Sequence, residues 1–593
     1  MKKTSENKTT IGNFFYAFNL MLKLYPEKLW FTVAFNVIGT LLSFFSSVFV
    51  IRYVVNGLQL DYKASKILGT VAILFLSRIV FEVFNQLYAL FVEPIIGRKC
   101  YVRLKKIIYT KASKIRLEIY DDSKMYDLIN RAMSKGPGAI TGCINLVVAF
   151  MTSLINLSLC SWLIIDIDPF LLVFALLPLL FSIVNLKADR LWYNYEIKEQ
   201  RINRKLDYTR RTFYLREFAK EMRLTKICTL MIDRFRNSIR EKKDLFQKEG
   251  IKRSLITFIY EFGAQIIAVL GGELYALYNT VVTGTILYGD CLVVLTSIGT
   301  LSSNIQSIAS ITSWVQTIGL NIHDYKTFIE LTGNNTQKKI GVFKEGDIEF
   351  KNVSFSYQGG GQNILSDVSV KFSKGEKVAI VGHNGAGKTT LLKLLLNLYE
   401  PCDGIITVGG VNLREMNDDY KEHCSVVFQD VKHIAVSVAE NVLGRKFEAK
   451  DEVRVIDSLK RVGLWDIVSK HPKGIHAVIS KEFDPEGILL SGGESQKLAL
   501  ASIYARDADI IVMDEPTSML DPVTERHLLK NLIGSCADKT VVYVSHRLSS
   551  AVDADRILVM QQGKIIEEGT HKELMNYNGL YAEMFNLQAE HYV

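Results

Sequence analysis

Gly382-His383-Asn384-Gly385-Ala386-Gly387-Lys388-Thr389 follows the apolar run Val378-Ala379-Ile380-Val381 and leads into Thr390 and Leu391-Leu392-Lys393-Leu394-Leu395. This fills the pattern GxxxxGK[ST] in the strand–loop–helix setting it needs. The glycines let backbone N–H groups wrap a β-phosphate, and the helix N-terminus adds its positive end. Lys388 is expected to reach the β- and γ-oxygens of ATP, and the Thr389 hydroxyl to bind Mg²⁺. His383 fills a free position. A second apolar strand, Ile510-Ile511-Val512-Met513, ends in Asp514-Glu515. A carboxylate at such a strand end can hold a magnesium shell, and the next one can polarise the attacking water.

Elements around these residues divide the chain. Its 593 residues exceed one ordinary core. The chain is 48% hydrophobic and 22% charged, with a mean hydropathy of +0.15, a mixture that suits a protein part membrane and part soluble. Apolar stretches long enough to cross a bilayer are expected near 29–56, 67–96, 138–165, 169–190, 254–280 and 287–320. Asp166-Ile167-Asp168-Pro169 allows only a tight turn between the third and fourth, and Thr283-Gly284 marks another. The two long connections carry Arg98, Lys99, Arg103, Lys105, Lys106, Lys111 and Lys114, then Arg201, Arg204, Lys205, Arg210, Arg211 and Arg216. Positive loops stay inside. Both termini are therefore expected in the cytosol of a multi-pass protein of the cytoplasmic membrane. The net charge of +9 then faces the inner leaflet, and no nucleic acid partner is expected. Ile11 to Glu27 reads as an interfacial amphipathic helix behind a disordered tail of about ten residues. Cys100, Cys143, Cys160, Cys228, Cys291, Cys402, Cys424 and Cys536 include no CxxC pair and read as reduced, mostly buried small hydrophobes. Arg78 and Glu82 stand at i and i+4 inside the second span, close enough to pair, and Glu261 and Gln265 repeat the spacing in the fifth. Charge there either braces helices or lines a hydrated cargo cavity.

Thr332-Gly333-Asn334-Asn335-Thr336-Gln337 reads as a polar linker, and beyond Gly346 short β-branched runs alternate with helical patterns. That signals an α/β domain with a largely parallel sheet. The expected layout is a tail and interfacial helix over 1–28, a six-span α-helical membrane domain over 29–325, a linker over 326–345, and an α/β P-loop ATPase domain over 346–593.

Between the phosphate loop and Asp514 lies Leu490-Ser491-Gly492-Gly493-Glu494-Ser495-Gln496. With this peptide the chain resembles ABC transporters, specifically exporters whose membrane domain precedes the ATPase domain, over nearly its whole length. The family's LSGG is usually followed by Gln; here Glu494 takes that place. The resemblance implies that Ser491, Gly492 and Gly493 close over ATP held by a second half-transporter, expected to be another copy of this chain. It implies that Tyr357 stacks on adenine and that Gln429 touches Mg²⁺ and senses the membrane domain. Ser518-Met519-Leu520-Asp521 is implied to read the opposite site, and His546 to contact the γ-phosphate. Catalysis would then rest on Glu515, His546 and Gln429, and metal binding on Thr389, Gln429 and Asp514. The segments 121–127 and 220–224 look like coupling helices, with Glu482 placed to meet them. Fusion of the two domains implies export rather than import. Ile119-Tyr120-Asp121-Asp122-Ser123-Lys124-Met125-Tyr126 and Phe428-Gln429-Asp430-Val431-Lys432 resemble exporters of modified antimicrobial peptides, which implies a peptide cargo. Lipid or drug export is the alternative, since one fold hosts all three, and an ATP-gated channel or regulator is a further one.

Overall fold

Long apolar runs without water to satisfy their backbone leave the helix as the available spanning form, and the first half of the chain is helical throughout. The structure, a computed structural model, describes residues 2–331, 343–357, 363–416, 418–482, 484–517, 519 and 522–590. Some side chains within these ranges, Gln265 among them, lie outside the description. The helices are α1 (Lys2–Leu24), α2 (Pro26–Gln59), α3 (Ala64–Ala112), α4 (Leu117–Asp121), α5 (Ser123–Ile167), α6 (Leu171–Tyr214), α7 (Ala219–Leu224), α8 (Ile227–Val281) and α9 (Tyr288–Leu331). Helix α1 begins at Lys2, so the expected disordered tail is helical. Five of these helices, α2, α3, α5, α8 and α9, are long and apolar enough to cross a membrane among the described residues. The sixth expected span is not confirmed among the described residues. The remaining stretch, 169–190, falls mostly in α6, where every side chain from 179 to 190 lies outside the description.

The chain forms two units: one of residues 1–113 and 127–330, the other of 114–126 and 331–593. In the first, α5, α8 and α9 share a core containing Cys160, Leu163, Ile164, Ala276, Val293, Val294 and Ile298. A Cβ on Gly272 of α8 would lie 2.3 Å from Ile298 Cδ1, so the glycine leaves room for the Ile298 side chain between these two helices. Where α5 turns into α6, Arg52 of α2 reaches Asp166 and Asp290 at 2.7 Å each. The expected Arg78–Glu82 pair does not form. Arg78 Nη1 donates to Ser46 Oγ on α2 at 2.7 Å, and Glu82 accepts from Gln86 Nε2 at 3.0 Å. The i,i+4 spacing permits the pair, but a hydroxyl on the neighbouring helix and an amide one turn further on take its place.

The second unit holds two sheets. Strands β1 (Ile348–Phe355), β2 (Leu365–Phe372), β4 (Asp403–Val408) and β5 (Val411–Asn412) make an antiparallel sheet ordered β2-β1-β4-β5. Strands β3 (Lys377–Gly382), β6 (Cys424–Val427), β7 (Ile510–Asp514), β8 (Thr540–Val544), β9 (Arg556–Gln561) and β10 (Lys564–Gly569) make the other, ordered β10-β9-β3-β8-β7-β6. All its neighbours are parallel except β10 with β9. Every residue of β7 and β8 is buried, which is why these strands read as unbroken apolar runs rather than alternating ones. Helices α10 (Lys388–Leu395), α11 (Gly492–Ala505) and α12 (Leu580–Glu590) complete the elements used below.

Candidate active site

In an open parallel sheet, ligands bind outside the carboxyl ends of the strands, and the order β3-β8-β7-β6 sets four such ends side by side. The phosphate loop follows β3, His546 follows β8, Asp514 and Glu515 close β7, and Gln429 follows β6. They surround a cleft of about 640 Å³ lined by Tyr357, Ile364, residues 384–390, Gln429, Glu515 and His546. Gly382 has φ +146°, and a Cβ there would sit 2.2 Å from the Met560 carbonyl oxygen. Only glycine fits that position.

Lys388 is 6% exposed. Its Nζ donates to the carbonyls of Gly382 at 2.6 Å and His383 at 3.1 Å, folding the loop around its own ammonium. Burial pushes this ammonium below its usual pKa, while Glu515 and Asp514 pull the other way. The Asp514 carboxyl, 2% exposed, is shifted up by burial; Thr389, as a hydrogen-bond donor, and Lys388 oppose the shift, and Glu515 adds to it. Each group is thus short of counter-charge, which a triphosphate would give Lys388 and a cation would give Asp514. Asp514 Oδ1 is moreover buried without a hydrogen-bond partner among the described residues. An orphaned carboxylate oxygen beside the Thr389 hydroxyl, with the Gln429 amide also lining the cleft, offers the hard oxygen donors that Mg²⁺ prefers.

Glu515 adopts φ +48°, a left-handed conformation that costs energy outside glycine. Its N–H donates to the Val544 carbonyl at 3.1 Å, which ties the ends of β7 and β8 together and holds this geometry. One carboxylate oxygen accepts from Gln429 Nε2 at 2.9 Å and the other touches His546 Nε2. The three residues implied for catalysis therefore form one connected group. Tyr357 stands edge-to-face with Phe355 at 5.0 Å and Tyr399 at 5.3 Å. Lys393 Nζ donates to its hydroxyl at 3.4 Å, leaving a braced ring at the cleft that suits base stacking.

Ser491, Gly492 and Gly493 do not line this cleft. Ser491 caps α11: it accepts from the Glu494 N–H, and the Glu494 carboxylate accepts from the Ser491 N–H at 2.8 Å. Glutamate three residues after the serine completes a capping box, a role the usual glutamine would fill as well. The Met519 N–H donates to Gln496 at 2.9 Å. Asp521, with Ser518 and Leu520, lies outside the described residues.

Of the first expected docking segment, 121–127, residues 121–126 belong to the second unit and Asp127 to the first. The Tyr399 hydroxyl donates to Asp121 Oδ2 at 2.7 Å, the Glu400 N–H donates to Glu118 at 2.6 Å, and Arg116 pairs with Glu400. Sequence reasoning assigned the meeting residue as Glu482, which is exposed and bonded through its N–H to Ser480. Tyr399 and Glu400 were missed because nothing in their spacing marks them. The second segment forms α7, whose Leu224 is 83% exposed.

Comparison with known proteins places this geometry among relatives. The family model described as "ABC transporter" matches residues 365–518. The chain is 28% identical over 492 residues to the subtilin transport ATP-binding protein SpaT of Bacillus subtilis, covering 81% of this chain and 79% of the relative. It is 31% identical to the ATP-dependent lipid A-core flippase of Haemophilus ducreyi, covering 61% of each. It is 34% identical to the mitochondrial iron-sulfur clusters transporter ATM1 of Candida glabrata, over 54% of this chain and 45% of that one. The chain thus spans less than two thirds of the latter two. The solved structure of a bacterial Atm1-family ABC exporter with ATP bound superposes with a TM-score of 0.78 at 21% identity, covering 96% of this chain and 99% of that one. That likeness establishes the fold.

Proposed function

We propose that the chain is an ABC half-transporter whose membrane region precedes its ATPase domain, a reading supported by its likeness to ABC transporters, and that it exports a peptide across the cytoplasmic membrane as a pair of identical copies. The observation that carries this reading is the incomplete cleft: phosphate loop, Glu515, His546 and Gln429 converge on it, while the signature residues Ser491, Gly492 and Gly493 do not. A second copy supplies them. In this reading Lys388 and the N–H groups of residues 384–389 hold the phosphates, and Tyr357 stacks on adenine. Glu515 takes the proton of the attacking water, held by Gln429 and His546, with His546 reaching the γ-phosphate. Mg²⁺ on Thr389, Asp514 and Gln429 supplies positive charge to the phosphates when bound. Asp521 reads the opposite site, both termini are cytosolic, and 114–126 with α7 carry movement between the halves.

Support for a peptide comes from charge. Arg78 and Glu82 are exposed on α3 and, among the described residues, partnered by neutral groups, a costly arrangement in an apolar span unless it faces a polar cargo. A lipid is the second reading, favoured by the likeness to a lipid A-core flippase. The test is ATP turnover of the reconstituted chain screened against peptides and lipids, in wild type and in Arg78→Ala with Glu82→Ala. We expect peptides to stimulate turnover. The double variant should lose that stimulation while basal turnover stays within about twofold. Stimulation by lipid alone, or joint loss of basal turnover and thermal stability in the variant, contradicts the peptide reading.

A further inference from the structure

The aim of His546 at Glu515 depends on a loop that its own strand holds only in part. Beyond β8, Ser545 Oγ contacts Ser550 Oγ at 2.6 Å and accepts from the Arg547 N–H at 3.1 Å. These contacts fix positions 545, 547 and 550 but do not take the backbone of 546. The His546 carbonyl instead accepts from Gln588 Nε2 at 2.7 Å, while Gln588 Oε1 accepts from the Leu548 N–H at 2.9 Å. One amide on α12 thus bridges both sides of Arg547. A carbonyl on one side and an N–H on the other dictate which way the amide points. Helix α12 is a firm support. Tyr581 is fully buried, its hydroxyl meets His571 Nδ1 at 2.8 Å, and its N–H donates to Glu567 at 3.1 Å.

We propose that Gln588 is a positioning residue for ATP hydrolysis: from the C-terminal helix it clamps the backbone at 546 and 548 and so aims the His546 ring at Glu515 and the γ-phosphate. The proposal rests on the role given to His546 above. The ring is 41% exposed, so its placement comes from the backbone rather than from packing, and small misplacements of reacting groups cost rate steeply. Glutamine is chosen by chemistry. Leucine has similar bulk but neither donor nor acceptor. Ionised glutamate keeps the acceptor for Leu548 but sets a carboxylate against the His546 carbonyl, and protonated glutamate restores both bonds.

The test uses the full chain in lipid nanodiscs, with ATP turnover measured against ATP concentration and pH. Gln588→Leu should lower kcat about 10-fold with KM within about twofold and an unchanged unfolding temperature. Gln588→Glu should be equally slow at pH 8, and its rate relative to wild type should climb about two- to threefold as pH falls to 5 and the carboxyl begins to take up its proton. In a His546→Ala background, Gln588→Leu should leave the residual turnover unchanged, because the group it aims is gone. If His546→Ala itself turns over like wild type, the reading of the site fails. If His546→Ala is inactive while Gln588→Leu matches wild type, the clamp is overturned. It is equally overturned if Gln588→Leu lowers turnover alike in both backgrounds together with the unfolding temperature, or if Gln588→Glu follows the wild-type pH profile.

Discussion

Glu515→Gln should bind ATP as wild type does and hydrolyse it at least about 100-fold more slowly, the loss expected when a general base is removed. The substitution keeps the size of the side chain and one oxygen for Gln429, which donates to Glu515 at 2.9 Å. It also leaves the backbone tie between the 515 N–H and Val544 in place. What disappears is the negative charge that accepts a proton. The change should therefore fall on kcat and leave nucleotide affinity within about twofold. The pair of ATPase domains should remain closed around unhydrolysed ATP. Single-turnover hydrolysis beside equilibrium binding of a fluorescent ATP analogue checks both halves. Turnover within about threefold of wild type would mean that another group takes the proton.

Lys388→Ala should fail at the earlier step. Its ammonium is buried, depressed in pKa by that burial, and hydrogen-bonded among the described residues to carbonyls of its own loop. A bound triphosphate gives it the anionic partner it lacks, in the ground state as well as in the transition state. Hydrogen bonds to charged groups contribute about 1.5–3 kcal/mol each, so losing one or more should weaken ATP binding about 10- to 150-fold. Removal also strips the donor from the buried Gly382 carbonyl, so the empty loop loosens. Isothermal titration with ATP measures the loss. Affinity within about twofold of wild type would place the phosphates elsewhere.

The two variants rest on residues of different legibility. Lys388 and Thr389 could be read directly, because eight consecutive residues carry the whole pattern and strand–loop–helix geometry follows from local rules. Asp514 and Glu515 could be read as a strand end, since β7 is buried on both faces and unbroken in its apolar run. Gln429 and His546 entered only through resemblance. What brings them to Glu515 is the adjacency β6-β7-β8, which pairs Cys424 with Ile510 and Ile510 with Thr540, long-range pairings that no local pattern encodes. Tyr399 and Gln588 have no local signature at all; Tyr399 matters through one long-range hydrogen bond and Gln588 through two. The Arg78–Glu82 pair shows the opposite failure, a sound local rule overridden by Ser46 on the next helix. Lys2 to Thr10 shows a milder one, since a polar composition did not stop α1 from beginning at Lys2.

The most direct test of a cleft shared between two copies is a disulfide across it. Asn384 on the phosphate loop and Ser491 at the signature are both exposed, and Ser491 does not line the cleft of its own chain. Asn384→Cys and Ser491→Cys would be introduced together, with the exposed native thiol removed as Cys402→Ser and hydrolysis blocked by Glu515→Gln. In lipid under mild oxidant, addition of ATP should convert the chain of 67.1 kDa into a disulfide-linked species of twice that mass, and reductant should reverse it. A chain that runs at single mass in every nucleotide state, with or without ATP, would contradict the account.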